Sequence, residues 1–241
     1  MQVSFIVPAY NEEELLGACL KSIDHAVANH HERGFSSETI VVDNNSTDAT
    51  AAVAEAGRAT VVFESINQIS RARNTGAAVA GGDWLVFVDA DSELNNELLG
   101  DVLTRIQAGG FIGFGSKVTM GDAPFWSRQL LRFWTWLSAK FDWAAGSFVA
   151  CEAAAFHELG GFSEELFAAE EVEFSRRIKR LGKSRGLKFL VLTQYPLKTS
   201  NRKLHLYSGW EMFRQILRLI ATPRKTLRDK SALEVWYGGR R

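Results

Sequence analysis

Cysteine is scarce in this sequence, since its 241 residues include only Cys19 and Cys151. Two cysteines cannot form the disulfide framework of a small secreted domain, and each lies in an apolar pattern typical of a buried thiol. The sequence also lacks an apolar run of about 18 residues, which a membrane-spanning helix needs, and it lacks a basic leader before an apolar segment. We therefore expect a globular, cytoplasmic protein.

Two well-known phosphate-binding motifs are missing as well. Neither the G-x-G-x-x-G fingerprint of dinucleotide-binding folds nor the G-x-x-x-x-G-K-[ST] loop of nucleoside triphosphatases occurs. The sequence therefore supports neither a dinucleotide-dependent enzyme nor a P-loop enzyme.

Net charge is zero, but the two signs are unevenly distributed. Residues 1–197 hold 17 Lys and Arg against 25 Asp and Glu, whereas residues 198–241 hold 11 against 3. Such a basic tail can bind phosphates, nucleic acid or an anionic membrane, or it can pair with the acidic body. Its few aromatic residues and the lack of a known module argue against nucleic acid as a partner.

The first ninety residues alternate between strand and helix patterns. Strands are predicted at residues 2–8, 39–43, 60–63 and 84–88, and amphipathic helices lie between them. This βαβ order predicts an α/β fold with a mostly parallel central sheet and helices on both faces. The carboxyl ends of such strands meet at one edge, where ligands bind.

The fourth predicted strand ends in two carboxylates. Apolar residues 84–88 are followed by Asp89, Ala90 and Asp91. Asp is unfavourable inside a strand, so this pair is expected at the solvated end, where two oxygen ligands can hold a divalent cation. A simple turn with a helix cap remains the alternative. The polar segments 8–11 and 43–45, at neighbouring strand ends, favour the site.

The second half of the sequence is less regular. Residues 125–143 contain several Trp and Phe at helical spacing, which fits a helix packed on the core, an acceptor-side helix or an interfacial anchor. An acidic helix follows residues 160–162 and is predicted to end at Gly182. A basic amphipathic helix is predicted at residues 208–221.

Five short motifs in this order resemble the donor-binding region of the family 2 glycosyltransferases. They are residues 7–12 (VPAYNE), 43–48 (DNNSTD), 71–76 (RARNTG), 89–91 (DAD) and 160–162 (GGF). The resemblance implies a GT-A-type fold for nucleotide-diphospho-sugars over residues 1–205. Residues 1–95 would form the nucleotide-binding half, residues 96–205 the acceptor half, and residues 206–241 a basic extension.

The resemblance also implies a nucleotide site. Asp43 would bind the base, and Pro8, Tyr10 and Glu12 would line the nucleoside pocket. Arg73 and Asn74 would reach the base or the ribose-diphosphate.

A divalent cation, Mn²⁺ or Mg²⁺, would lie beside this nucleotide site. Asp89 would contact ribose or the cation, and Asp91 would ligate the cation directly, with His205 as a further candidate. The cation would neutralise charge on the diphosphate leaving group. Arg202 and Lys203 would contact the diphosphate, and Ser147 the donor sugar.

An acidic pair after residues 160–162 matches the position of the general base in inverting members of this family. The usual pair is Glu-Asp, whereas here it is Glu170-Glu171. By position Glu171 is the first candidate for the base and Glu170 the second. A structural alternative is that both are first-turn acids favoured by the helix dipole.

The resemblance therefore implies an inverting, metal-dependent transfer of a sugar from a UDP- or GDP-sugar. The acceptor would be a hydroxyl or a lipid phosphate on an unknown glycan or lipid-linked molecule, and the Trp-rich segment and basic tail suggest peripheral contact with the cytoplasmic membrane. Two alternatives stay open: a non-catalytic nucleotide-sugar-binding module, and a sugar nucleotidyltransferase. The latter would carry a glycine-rich basic loop after the first strand, where residues 9–12 read AYNE.

Overall fold

A computed structural model describes residues 1–120, 144, 146–202 and 226–233. Eight strands form one sheet. They are β1 (Gln2–Ala9), β2 (Ser36–Asp43), β3 (Thr60–Phe63), β4 (Trp84–Val88), β5 (Ser92–Glu93), β6 (Phe111–Met120), β7 (Phe148–Glu152) and β8 (Lys188–Thr199). The described residues also form six α-helices: α1 (Leu16–Ala28), α2 (Thr50–Ala56), α3 (Ile69–Val79), α4 (Asn96–Ala108), α5 (Ala153–Glu158) and α6 (Glu170–Arg185).

The strand order is β3-β2-β1-β4-β7-β6-β8-β5. Strands β1 to β4 pair in parallel, as do β6 and β8, which confirms the predicted α/β fold. Strand β7 runs antiparallel to both β4 and β6, and β5 runs antiparallel to β8. One sheet therefore extends across both halves predicted from the sequence.

Helices cover both faces of the sheet, as predicted. In β4, Trp84, Val86 and Val88 belong to a core with α1, α2 and α4, whereas Leu85 and Phe87 face a second core with α3, α5 and α6. This alternation follows from the two-residue period of a strand. All five side chains are buried, so the strand that ends in the two aspartates lies at the centre of the molecule.

The predicted end of α6 at Gly182 is wrong. The helix continues to Arg185 and ends at Gly186, which has a φ of 70°. Gly182 is needed for close packing instead, because an added Cβ would lie 2.8 Å from the Leu187 carbonyl oxygen and 2.9 Å from Ile112. The left-handed conformation that terminates a helix occurs four residues later.

The carboxyl ends of the first parallel strands form one connected edge. Residues Ala9 and Asp43 are paired across β1 and β2, and the Asn44 N–H donates to the Ala9 carbonyl oxygen at 2.8 Å. The Asn44 amide then donates to the carbonyl oxygens of Glu64 and Ile66 beyond β3. The three strand ends are thereby fixed relative to one another.

None of the described helices combines the length and the apolar character needed to cross a membrane.

Candidate functional site

The site is organised around Arg73 on α3, whose side chain is only 1% exposed. Its Nη1 donates to Glu170 Oε1 at 2.7 Å, and its Nη2 donates to Asp89 Oδ1 at 2.8 Å and to the Gly146 carbonyl oxygen at 2.7 Å. The guanidinium also lies over the Phe162 ring, 5.3 Å from its centroid. Arg73 therefore joins the end of β4, the segment before β7 and the start of α6.

Burial alone would lower the pKa of Arg73, but the negative charges of Asp89, Glu170 and Glu171 outweigh it and raise the pKa. The guanidinium is thus a fixed positive charge. Three carboxylates share this one cation, so the cluster carries a negative surplus unless a proton or another cation joins it.

The two members of the acidic pair differ in exposure. Glu170 is buried and bound to Arg73, whereas Glu171 is half-buried. A Cβ added at Gly146 would lie 3.4 Å from Glu171 Oε1 and 3.7 Å from Arg73 Nη2, so the Glu171 carboxylate lies beside the same backbone as Arg73. Of the two, Glu171 has the better access to a ligand.

Burial and the nearby charge of Glu170 raise the pKa of Glu171 to about 8, with Arg73 acting in the opposite direction. Burial also raises the pKa of Glu170. A carboxyl group that titrates near neutral pH has the property expected of a general base.

The loop that precedes this pair is held by two amide side chains. Asn74 brackets Phe162, because its Oδ1 accepts from the Phe162 N–H and its Nδ2 donates to the Phe162 carbonyl oxygen, each at 2.9 Å. Gln68, which is buried, donates from Nε2 to the carbonyl oxygens of Glu164 and Leu166. Ala169 then adopts a left-handed φ of 60° directly before α6. These contacts fix the position of the first turn of α6, which carries Glu170 and Glu171.

Two of the residues predicted to reach the nucleotide have partners within the protein. Arg73 is buried beneath the carboxylates, and the Asn74 amide is engaged by Phe162. Gln68 was missed, because a single Gln ahead of a helix pattern gives no sequence signal of a partner almost a hundred residues away.

The two aspartates after β4 lie in different surroundings. Asp89 is 24% exposed and one of its oxygens accepts from Arg73. Asp91 is half-buried, and its Oδ1 accepts from the hydroxyls of Ser92 and Thr199 at 3.3 Å. The Asp89 N–H donates to the Ser147 carbonyl oxygen at 3.3 Å, which places Ser147 beside the same strand end.

A second ion pair involves the segment that follows β1 at this edge. Arg202 Nη2 donates to both carboxylate oxygens of Glu12 at 2.7 Å. Asp43, nearly buried, accepts the Ser46 N–H at 2.9 Å, and Pro8 is buried within β1. Tyr10 follows β1 on the same edge.

Several predicted features lie outside the described residues. They are Lys203, His205, the Trp-rich segment 125–143 and the amphipathic segment 208–221.

The described donor set fits a particular kind of cation site. Within the described ranges, no three His, Cys, Asp or Glu side chains converge into a ligand cluster. Mg²⁺ and similar hard cations are commonly bound by one or two carboxylates together with substrate phosphates. Asp91, with Asp89 adjacent, therefore fits a cation shared with a bound diphosphate rather than one enclosed by protein alone.

We predict that Arg73→Met lowers the free energy of unfolding by about 3–5 kcal/mol, because it leaves buried carboxylates without their counter-charge. Arg71→Met is the matched control, since Arg71 is on the same helix and its ion pair with Glu164 is 35–40% exposed. That change should cost about 0–1 kcal/mol. Urea denaturation at neutral pH measures both, and equal losses would contradict the central role of Arg73.

Comparison with known proteins identifies the family and the fold. The family model described as "Glycosyl transferase family 2" matches residues 4–158. The dolichol-phosphate mannosyltransferase of Pyrococcus furiosus is 32% identical over 139 residues, which cover 54% of this chain and 38% of that protein. The chain spans less than half the length of the curated relatives it matches.

Two solved structures share the fold. S. aureus TarS 1-349 in complex with UDP-GlcNAc superposes with a TM-score of 0.65 and 22% identity, covering 100% of this chain and 72% of that one. The mannosyltransferase PcManGT from Pyrobaculum calidifontis, in complex with GDP-Man and Mn²⁺, gives a TM-score of 0.63 and 19% identity, covering 98% of this chain and 73% of that one.

The family match decides the assignment. The matched residues 4–158 exceed half of the sequence, and they include the strand ends that carry Glu12, Asp43, Asp89 and Asp91. The chain therefore belongs to glycosyl transferase family 2.

Proposed function

We propose that this chain is an inverting glycosyltransferase that moves a sugar from a nucleotide-diphospho-sugar to an acceptor hydroxyl or phosphate. The observation that carries the proposal is the Arg73 cluster, which ties Asp89 at the donor edge to the acidic pair at the start of α6. The Asp89 carboxylate at the donor edge and the carboxylate pair that supplies the proposed general base are thereby held around one guanidinium.

The nucleotide binds along the ends of β1, β2 and β4. Asp43 accepts from the base, and Pro8, Tyr10 and Glu12 line the nucleoside pocket. Support comes from the shared edge of these strands and from the UDP-GlcNAc and GDP-Man bound by the two structural neighbours. The donor class is accordingly a UDP- or GDP-sugar.

Asp91 is the main protein ligand of a divalent cation, with Asp89 beside it. The Mn²⁺ in the PcManGT complex and the fit of the carboxylates support this assignment. A cation there neutralises charge on the departing diphosphate. Arg202 adds positive charge at the same edge, with Glu12 holding it at 2.7 Å. Lys203 and His205 remain further candidates.

Glu171 is the general base in this proposal. It takes the proton from the acceptor oxygen as that oxygen bonds to the anomeric carbon, while the bond from that carbon to the diphosphate oxygen breaks. Glu170 instead anchors the start of α6 to Arg73, so the two residues have different tasks. Ser147, whose carbonyl oxygen accepts the Asp89 N–H, contacts the donor sugar in this proposal.

Arg73, Asn74 and Gln68 act as positioning residues in this scheme. They fix the strand end, the loop after α5 and the start of α6 without needing to touch substrate. The Trp-rich segment 125–143 and the basic tail support peripheral contact of this chain with a membrane.

We predict that Asp91→Asn weakens Mn²⁺-dependent binding of UDP and GDP by at least about tenfold, because the cation loses its main protein ligand. Calorimetry with and without Mn²⁺ measures this. Binding without the metal should not change.

Glu93→Gln is the control, since Glu93 lies two residues away and pairs with Lys198 at the surface. It should keep the metal-dependent affinity. If Asp91→Asn retained it as well, Asp91 would not be the ligand.

We predict that kcat rises with pH through about 8, because Glu171 acts only when deprotonated and its pKa is raised to about 8. Glu170→Gln should move this rise to lower pH, since it removes the charge that raises the pKa of Glu171. Glu171→Gln should lower kcat by about 10²- to 10⁴-fold. Release of nucleoside diphosphate against pH measures all three.

Mn²⁺-dependent affinity for the nucleoside diphosphate should survive in both variants, which separates lost chemistry from lost folding. Loss of turnover in Glu170→Gln with turnover kept in Glu171→Gln would reverse the assignment within the pair.

A further inference from the structure

Part of the basic tail is packed against the body of the protein. The structure describes residues 226–233 of this tail, and the side chains of Thr226 and Leu233 are buried there. Leu233 is 0% exposed. Burial of a leucine side chain is favourable, so this stretch is held by packing and belongs to the folded body.

Local hydrogen bonds give this segment a defined shape. The Asp229 side chain accepts the Ser231 N–H at 2.9 Å and caps a short 3₁₀ helix, Lys230–Ala232. The Leu233 N–H then donates to the Lys230 carbonyl oxygen at 3.1 Å. Asp favours such turns because its carboxylate bonds to the backbone nearby. The turn therefore ends with Leu233 at its buried side.

The segment contacts the loop that precedes the acidic pair, residues 163–169. The Phe167 N–H donates to the Leu227 carbonyl oxygen at 2.7 Å. Phe167 lies three residues before Glu170, and the left-handed Ala169 stands between them. The segment is therefore attached close to the start of α6.

The same segment reaches the loop that precedes α3, residues 64–68. Lys230 Nζ donates to the Asn67 carbonyl oxygen at 2.8 Å. This loop is also tied to the donor edge, because the Gln68 N–H donates to the Asn44 side-chain oxygen at 2.9 Å. Segment 226–233 thus spans two loops, one leading to α3 with Arg73 and the other leading to α6.

Attraction between a basic tail and an acidic body does not explain this attachment. The side chains of the Arg228–Glu165 ion pair are 61% and 70% exposed, and exposed pairs contribute little stability. The backbone hydrogen bond of Phe167 and the burial of Leu233 do not depend on net charge. The attachment is therefore specific to this loop.

The loop before α6 is held from two sides. Gln68 Nε2 donates to the carbonyl oxygens of Glu164 and Leu166, and Leu227 accepts from Phe167. A general base must lie within hydrogen-bond reach of the acceptor hydroxyl, and a displacement of about 1 Å can lower the rate about 10²-fold. The place of the acidic pair is thus sensitive to both attachments.

We propose that residues 226–233, here called the clamp, position the acidic pair for catalysis. The Leu227 carbonyl oxygen and the buried Leu233 side chain are its attachment points. This inference rests on the proposed glycosyltransferase function. The catalytic unit then includes the clamp, beyond the range 1–205 expected from the sequence.

The first test measures turnover and nucleotide binding in the full chain. Leu233→Ala leaves a cavity that should release the clamp, and kcat should fall at least about tenfold because the acidic pair is displaced. Mn²⁺-dependent affinity for UDP and GDP should stay within about twofold, since Asn44 still holds the loop 64–68. Leu233→Met nearly conserves the volume and should retain kcat.

Leu103→Ala is the matched control. Leu103 is 0% exposed and lies on α4, in the core on the opposite face of the sheet from α6. It removes the same side chain from an equally buried position. Urea denaturation should show a loss of stability, and kcat of the folded protein should not change.

Hydrogen exchange tests the clamp independently of activity. The Phe167 amide should exchange at least about tenfold faster in Leu233→Ala than in the wild type, because the loop opens locally. Lys230→Met, an exposed change that does not threaten folding, should speed this exchange about fivefold. Lys21→Met, on the exposed side of α1, is its control and should have no effect.

Unchanged kcat in Leu233→Ala would overturn the inference. An equal loss of kcat in Leu103→Ala, or an equal loss of nucleotide affinity in Leu233→Ala, would also overturn it, since either points to a general structural role. Absence of Mn²⁺-dependent nucleotide binding in the wild type would instead refute the proposed function. Exchange of the Phe167 amide distinguishes the two failures, because it reports on the clamp without turnover.

Discussion

The ion cluster around Arg73 is the interaction on which the rest of the site depends. A guanidinium that is 1% exposed loses nearly all its hydration, which is costly unless anionic partners replace the water. Asp89, Glu170 and the Gly146 carbonyl oxygen supply that replacement, each within 2.8 Å. Since these partners come from three separate segments, the cluster holds together only when the whole sheet edge has formed.

The charge balance of the cluster has a consequence for function. One guanidinium faces three carboxylates, so the site favours an additional positive charge, either a proton on Glu171 or a cation beside Asp91. The left-handed backbone at Ala169 adds local strain directly before the acidic pair. Asn74 and Gln68 hold the preceding loop and stabilise that conformation.

Sequence patterns located the acids but not all of their roles. Periodicity and strand order placed Asp43 and Asp89 at one sheet edge, because parallel strands of known direction leave little choice. The direction of Arg73 and the partners of Asn74 depend on residues 16 to 97 positions away in the sequence, so a local motif could not reveal that they face the protein. The sequence predicts a helix end at Gly182 because a glycine needed for close packing looks the same in sequence as one that terminates a helix.

A single displacement assisted by Glu171 is tested most directly by the anomeric configuration of the product. NMR of the new linkage, formed from a donor whose sugar is α-linked to the diphosphate, gives the one-bond C1–H1 coupling constant, which distinguishes the α from the β anomer. Inversion predicts a β-linked product. An α-linked product would contradict the assignment of Glu171 as the base in a single displacement.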